Sequence, residues 1–160
     1  MRGGVQPSAR VPNVTAKRFV GSHTGNTTGM SVWTGQFRGG ALAARRVRHA
    51  VREQLGGKLS ERQLGDVELL VSELATNSVR HGGCGDANEI SLEAAVDERR
   101  VRVQLCDHGA GFPDATPERP PTGRAGGYGL VLLDRLSNRW GTQQNGGFCV
   151  WFEVERAGHA

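Results

Sequence analysis

Between residues 60 and 106 the apolar residues change period, and that change limits the fold more than any other feature of the chain. From residue 64 to 81 they recur at helical spacing: Val67, Leu70, Val71 and Leu74, with Ser78, fall in one sector of a wheel of about 100° per residue. From Ile90 to Val96, and again from Val101 to Cys106, they alternate as strands do. The charged run Asp97-Glu98-Arg99-Arg100 joins the two as a hairpin. A long helix needing a surface, followed by strands with one apolar face each, predicts helices on one face of a mostly antiparallel sheet. The expected class is an α+β two-layer sandwich.

The remaining segments fit that scheme. Ser31–Phe37 alternates loosely enough for a short edge strand, which Gly39-Gly40 ends. Ala41–Leu55 reads as an amphipathic helix with Leu42, Val47, Val51 and Leu55 inward, stopped by Gly56-Gly57. Ser60 with Gln63 forms a capping box for the second helix, which runs to about His81 and ends at Gly82-Gly83. Residues 112–127 contain Pro113, Pro117, Pro120 and Pro121 and form a loop. Leu130–Leu136 is a third helix, and strands at about 138–144 and 148–155 flank a turn at Gln144-Asn145-Gly146-Gly147. Trp33, Trp140 and Trp151 are assigned to the core. Residues 1–29 lack the apolar content to offset ordering entropy and are expected to be a disordered basic tail. The domain then spans 30–157, with 158–160 as a short tail.

The sequence pI near 9.5 suggests a nucleic-acid binder until the charge is located. No acid precedes Glu53, so residues 1–52 carry nine basic residues and +9; residues 53–160 hold 16 acids against 11 bases, or −5, which sums to the chain's +4. The body of the domain is acidic, which argues against nucleic acid as its partner. Of the 20 basic residues only Lys17 and Lys58 are lysine, a skew of GC-rich, bacterial codon usage without chemical weight. The three cysteines, Cys84, Cys106 and Cys149, are too few and scattered for a disulfide framework. A reducing cytoplasmic compartment is expected. No apolar run approaches the roughly 18 residues of a membrane span, and no secretory signal is visible.

On the second helix Glu73, Asn77 and His81 are successive i,i+4 neighbours beside the core stripe. A carboxamide oxygen suits magnesium, and a carboxylate one turn away can accept a proton. Alone, this pattern equally describes a solvated helix face. After the strand ending at Cys106 comes Asp107-His108-Gly109-Ala110-Gly111. There an acid can accept a hydrogen bond from an amino group, and two glycines admit a flat ligand. Gly126-Gly127-Tyr128-Gly129-Leu130 opens the third helix, whose unhindered N–H groups suit phosphate. Each glycine motif alone also describes a plain turn. No Walker pattern and no dinucleotide fingerprint is present.

Taken in order, E-L-x-x-N-x-x-x-H, D-x-G-x-G and G-x-G-L resemble the N, G1 and G2 boxes of the GHKL ATPase superfamily, which shares the Bergerat fold. Leu70 to Gly82, and the ending from Leu130 through Trp140-Gly141 to Val150-Trp151-Phe152-Glu153, are similar to the small single-domain branch: the bacterial anti-sigma-factor serine kinases and their actinobacterial relatives. The resemblance covers about residues 31–156. It implies that Asn77 holds the magnesium of MgATP, Glu73 is the general base, and Asp107 accepts from the adenine amino group. It further implies that Gly109 and Gly111 shape the adenine wall, that Gly127, Gly129 and Leu130 meet the phosphates, and that residues about 112–126 are the ATP lid. Cys149 stands where the branch often has a threonine near the adenine, which puts one contact in doubt. His81 is assigned a structural role at the loop that follows the helix.

The implied function is a magnesium-dependent ATP-binding regulator. It would phosphorylate Ser or Thr on a small antagonist (anti-anti-sigma, STAS-type) protein, bind a sigma factor, and form a homodimer. The alternative is a non-catalytic ATP-binding interaction module.

Overall fold

The computed structural model describes residues 25–27, 29–80, 83–108, 129–144 and 147–156. In chain order these are β1 (Gly25–Thr27), β2 (Met30–Arg38), α1 (Ala43–Leu55), α2 (Glu61–Arg80), β3 (Glu89–Val96), β4 (Arg100–Asp107), α3 (Gly129–Leu136), β5 (Arg139–Gln144) and β6 (Phe148–Glu155). The strands form one sheet in the order β1-β2-β3-β4-β6-β5, and every neighbouring pair is antiparallel.

Alternation assigns the faces. Ile90, Leu92, Ala94 and Val96 of β3, Val101, Val103 and Leu105 of β4, and Val150, Phe152 and Val154 of β6 are buried against the helices. From the other layer α1 contributes Ala43, Val47, Val51 and Leu55, and α2 contributes Leu64, Val67, Leu70, Val71, Leu74 and Ala75. Burying a side chain of the size of Phe152 contributes about 1.5–3 kcal/mol, and this shared core holds the layers together. The two-layer α+β architecture is as expected. No helix among the described residues is long and apolar enough to cross a membrane.

Four details differ from the sequence-based expectations. Gly25–Thr27 pairs with Met30–Val32, so the sheet begins inside the segment assigned to the tail; residues 1–24 lie outside the described residues, as do 157–160. In consequence β2 is flanked on both sides and is longer than the short edge strand expected. Leu42 is 51% exposed and Ala43 fills the inward position, because the helix begins at Ala43 and leaves Leu42 as its N-cap residue, while Val47, Val51 and Leu55 face inward as expected. Trp151 lies on the sheet face away from the helices, with the Arg102 guanidinium 4.0 Å from its ring centroid. There Glu153, only 6% exposed, accepts from Arg100 and Arg102 at 3.3 and 3.0 Å, with Arg139 at 3.7 Å.

The cysteines give the fourth correction. Cys106 and Cys149 are register partners on β4 and β6 and are joined by a disulfide, while Cys84 is a free, buried thiol. Cysteine spacing in sequence carries no information about register, and the β4–β6 pairing brings together residues 43 positions apart.

Phe152→Ala is expected to cost about 3–5 kcal/mol in urea unfolding, whereas Leu42→Ala stays within about 0.5 kcal/mol. A large loss at Leu42 would reinstate it as a core position.

Candidate functional site

The helix that carries the polar stripe is set by its first turn. The Ser60 N–H donates to Gln63 Oε1 and the Gln63 N–H donates to Ser60 Oγ, both at 3.3 Å, the reciprocal pair anticipated from sequence. Arg52 of α1 clamps the helix from the side, with Nε 2.6 Å and Nη2 2.9 Å from the carboxylate of Glu68, a buried acid that helical periodicity alone did not single out. Further along, the Ser72 and Thr76 hydroxyls donate back to the Glu68 and Ser72 carbonyls at 2.7 and 2.8 Å, which leaves Glu73 and Asn77 on the adjoining side.

Asn77 is 3% exposed, and its Oδ1 has no hydrogen-bond partner among the described residues. A buried, unsatisfied carbonyl oxygen costs about 1–3 kcal/mol, so the position asks for a cation or donor to complete it. Glu73, one turn earlier, is half-buried. The first residue of α3 closes against this turn. A Cβ built on Gly129 would lie 2.6 Å from Asn77 Nδ2 and 3.8 Å from Glu73 Cβ. Glycine therefore sits here because the two helices approach too closely for any side chain. Leu130 follows it, partly buried against the core.

Asp107 ends β4 and is 6% exposed. Its register partner is Phe148, and Gly147 packs against its carbonyl oxygen so closely that a Cβ would overlap it. Cys84 is linked to both parts of the site: its N–H donates to the Ser78 carbonyl, next to Asn77, at 3.1 Å, and its thiol feels the Asp107 charge. Burial first, and the Asp107 carboxylate second, push the Cys84 thiol above its ordinary value.

Of the residues singled out from sequence, Glu73, Asn77 and Gly129 come together, and Asp107 stands at the end of β4 with Leu130 on α3. Gly109, Gly111, Gly127, His81 and the lid at 112–126 lie outside the described residues. One assignment is corrected. Cys149 does not face the side of the sheet that carries Asp107: alternation turns it to the opposite face with Cys106, and Phe148 holds the position beside Asp107. The glycine preceding Phe148 was the available signal, but its offset from the strand register was not readable without the pairing. A 910 Å³ groove lined by Asp97, Arg99, Arg100 and Arg156 opens at the other end of β4; there Arg100 pairs with Asp97 and Arg156 donates to the Asp97 carbonyl, so both brace the β3–β4 turn.

A family model described as a histidine kinase-like ATPase domain matches residues 41–154, well over half of the chain. The chain belongs to this family. As a histidine kinase-like ATPase domain it is 34% identical over 82 residues to a serine-protein kinase RsbW of Listeria monocytogenes, covering 44% of this chain and 52% of that protein. It is 33% identical over 60 residues to an anti-sigma F factor of Geobacillus stearothermophilus, covering 37% of this chain and 41% of the relative. The chain thus spans about half the length of the curated relatives it matches. A crystal structure of RsbU and RsbW domains of a Mycobacterium tuberculosis protein superposes with a TM-score of 0.57 at 21% identity, over 78% of this chain and 33% of that one, and shows the same fold.

Two measurements check this geometry. Gly129→Ala is expected to lose stability in urea unfolding, because overpacking against the buried Asn77 amide costs about 1–3 kcal/mol and outweighs a helix-propensity gain of at most about 1 kcal/mol. The Cys84 thiol keeps its proton to higher pH when folded than when unfolded. Its contribution is therefore full below the unfolded value of about 8.5 and is lost as pH rises through the folded value. Stability measured from pH 8 to 10 should fall, and Cys84→Ala should make that slope shallower.

Proposed function

We propose that this histidine kinase-like ATPase domain binds ATP with magnesium and transfers phosphate to a serine or threonine of a small antagonist protein of the anti-anti-sigma, STAS type, alternating between that partner and a sigma factor. The observation that carries the proposal is the Glu73 and Asn77 pair with its unsatisfied amide oxygen, closed by a glycine at the start of α3. Similarity to proteins named serine-protein kinase RsbW and anti-sigma F factor supports it. A homodimer and a cytoplasmic location, where ATP is supplied, complete the proposal.

The donor set fits magnesium, since Asn77 Oδ1 is a neutral oxygen left without a partner and the ion takes oxygen ligands. Bound there, magnesium supplies charge neutralisation for the triphosphate. The chain's own groups do the rest. Asp107 accepts from the adenine amino group at the end of β4. Gly109 and Gly111 let the backbone approach the base, Gly127 and Gly129 offer N–H groups to phosphate with Leu130 anchoring the helix behind them, and residues 112–126 cover the site. The Glu73 carboxylate takes the proton of the partner's hydroxyl as that oxygen is phosphorylated. Phosphoryl transfer of this kind rests on positioning and electrostatics, so one misplaced group is costly.

A second reading, a binding module that uses ATP only to set conformation, is favoured by one observation. Phe148 beside Asp107 brings no hydroxyl to the base, so nucleotide affinity rests on fewer polar contacts.

Glu73→Ala is expected to lower phosphate transfer from labelled ATP to antagonist proteins by about 10²–10⁴-fold while leaving ATP binding in place. Asn77→Ala should remove the magnesium dependence of ATP binding in calorimetry. Transfer by Glu73→Ala at the wild-type rate would refute the base assignment, and ATP binding with no transfer in the wild type would establish the module instead.

A further inference from the structure

The Cys106–Cys149 pair has no part in the reading above, yet its position is informative. The two residues are directly opposite on β4 and β6, with Cα atoms 4.0 Å apart, and the next register pair is Asp107 with Phe148. A short Cα separation marks a non-hydrogen-bonded pair, so the ladder at this point is held by side chains, and here the side chains are bonded to each other. The segment between the two sulfurs runs from Asp107 through the glycine box, the 112–126 loop, Gly129 and β5 to Phe148. The disulfide therefore ties both ends of the stretch that supplies most of the nucleotide contacts. Cys106 is partly exposed on the outer face and Cys149 nearly buried, and the Gln104 amide donates to Cys106 Sγ at 3.5 Å. Cys84, by contrast, is a free, buried thiol.

We infer that Cys106 and Cys149 form a reversible redox site whose oxidation state sets nucleotide affinity, the disulfide form binding ATP more tightly than the dithiol. Hydrogen peroxide is the oxidant class. The accessible Cys106 sulfur, as thiolate, attacks a peroxide oxygen; the O–O bond breaks, the leaving hydroxide is protonated to water, and a sulfenic acid remains. The Cys149 sulfur then attacks Cys106 Sγ, the S–S bond forms, the S–O bond breaks, and a second water leaves, so two thiols lose two electrons and two protons to one peroxide. A dithiol reductant reverses this by exchange and becomes a disulfide itself. The crosslink fixes the β4–β6 pair one step before Asp107 and Phe148, so the carboxylate proposed to receive the adenine is held in place before nucleotide arrives, and less ordering is left for binding to supply.

The inference rests on the ATP-binding reading for its effect, but the redox couple can be read without nucleotide. The full chain is treated with hydrogen peroxide or dithiothreitol, then denatured, alkylated and weighed; in parallel, ATP affinity is measured by calorimetry in magnesium buffer. One alkylated thiol in the oxidised chain and three in the reduced chain are expected, with ATP bound at least threefold more tightly after oxidation. Cys106→Ser should bind equally in both buffers, at the affinity of reduced wild type; Cys106→Ala serves if that variant does not fold. Three alkylated thiols after peroxide, or equal affinities in the two states of the wild type, overturn the inference. Absence of ATP binding in both states refutes the proposed function and the coupling together, while the thiol count still decides whether the pair is a redox site.

Discussion

The pairing of β4 with β6 joins two strands separated by the whole 108–147 stretch, and the placement of nearly every notable side chain follows from it. One register puts Asp107 beside Phe148, Cys106 beside Cys149, Gln104 beside Trp151 and Arg102 beside Glu153. A slip of one residue would turn one member of each pair to the opposite face. The core alternation of Val101, Val103 and Leu105 against Val150, Phe152 and Val154 forbids that slip, because it would turn one strand's three core residues away from the helices. Apolar burial thus fixes where the polar chemistry stands.

Charge is divided in the same way. The acidic body gives two of its buried carboxylates dedicated cations: Glu68 has Arg52, and Glu153 has Arg100 and Arg102 with Arg139 close by. Each removes a negative charge from the balance at a place other than the Asn77 turn. A buried carboxylate without such a partner would be expensive, so these arginines are structural rather than available to an anionic ligand.

How much could be read from the chain depended on range. The second helix was legible because its period persists over twenty residues and its capping box is local, so sequence alone places Glu73 and Asn77 on one side. The glycine at 129 was legible as a helix start, although the close contact with Asn77 that requires it was not. Elements resting on pairing between distant segments were beyond reach. β1 is three residues with little apolar content and exists because β2 offers it an edge. The disulfide, the outward face of Trp151 and the exchange of Cys149 for Phe148 beside Asp107 all depend on one non-local register. The error at Leu42 had a different origin, since the helix begins one residue after it and Leu42, at the N-cap, lies outside the stripe that Val47, Val51 and Leu55 set.

The contact between Gly129 and Asn77 leaves no slack between two functions. The residue that begins α3 and the amide that offers an unsatisfied oxygen touch directly, with no intervening side chain to flex. A displacement of α3 large enough to change what its N-terminus presents would be felt at once by that oxygen. Mutation elsewhere in the helix cannot adjust one without the other, so the two can be tuned only as a unit.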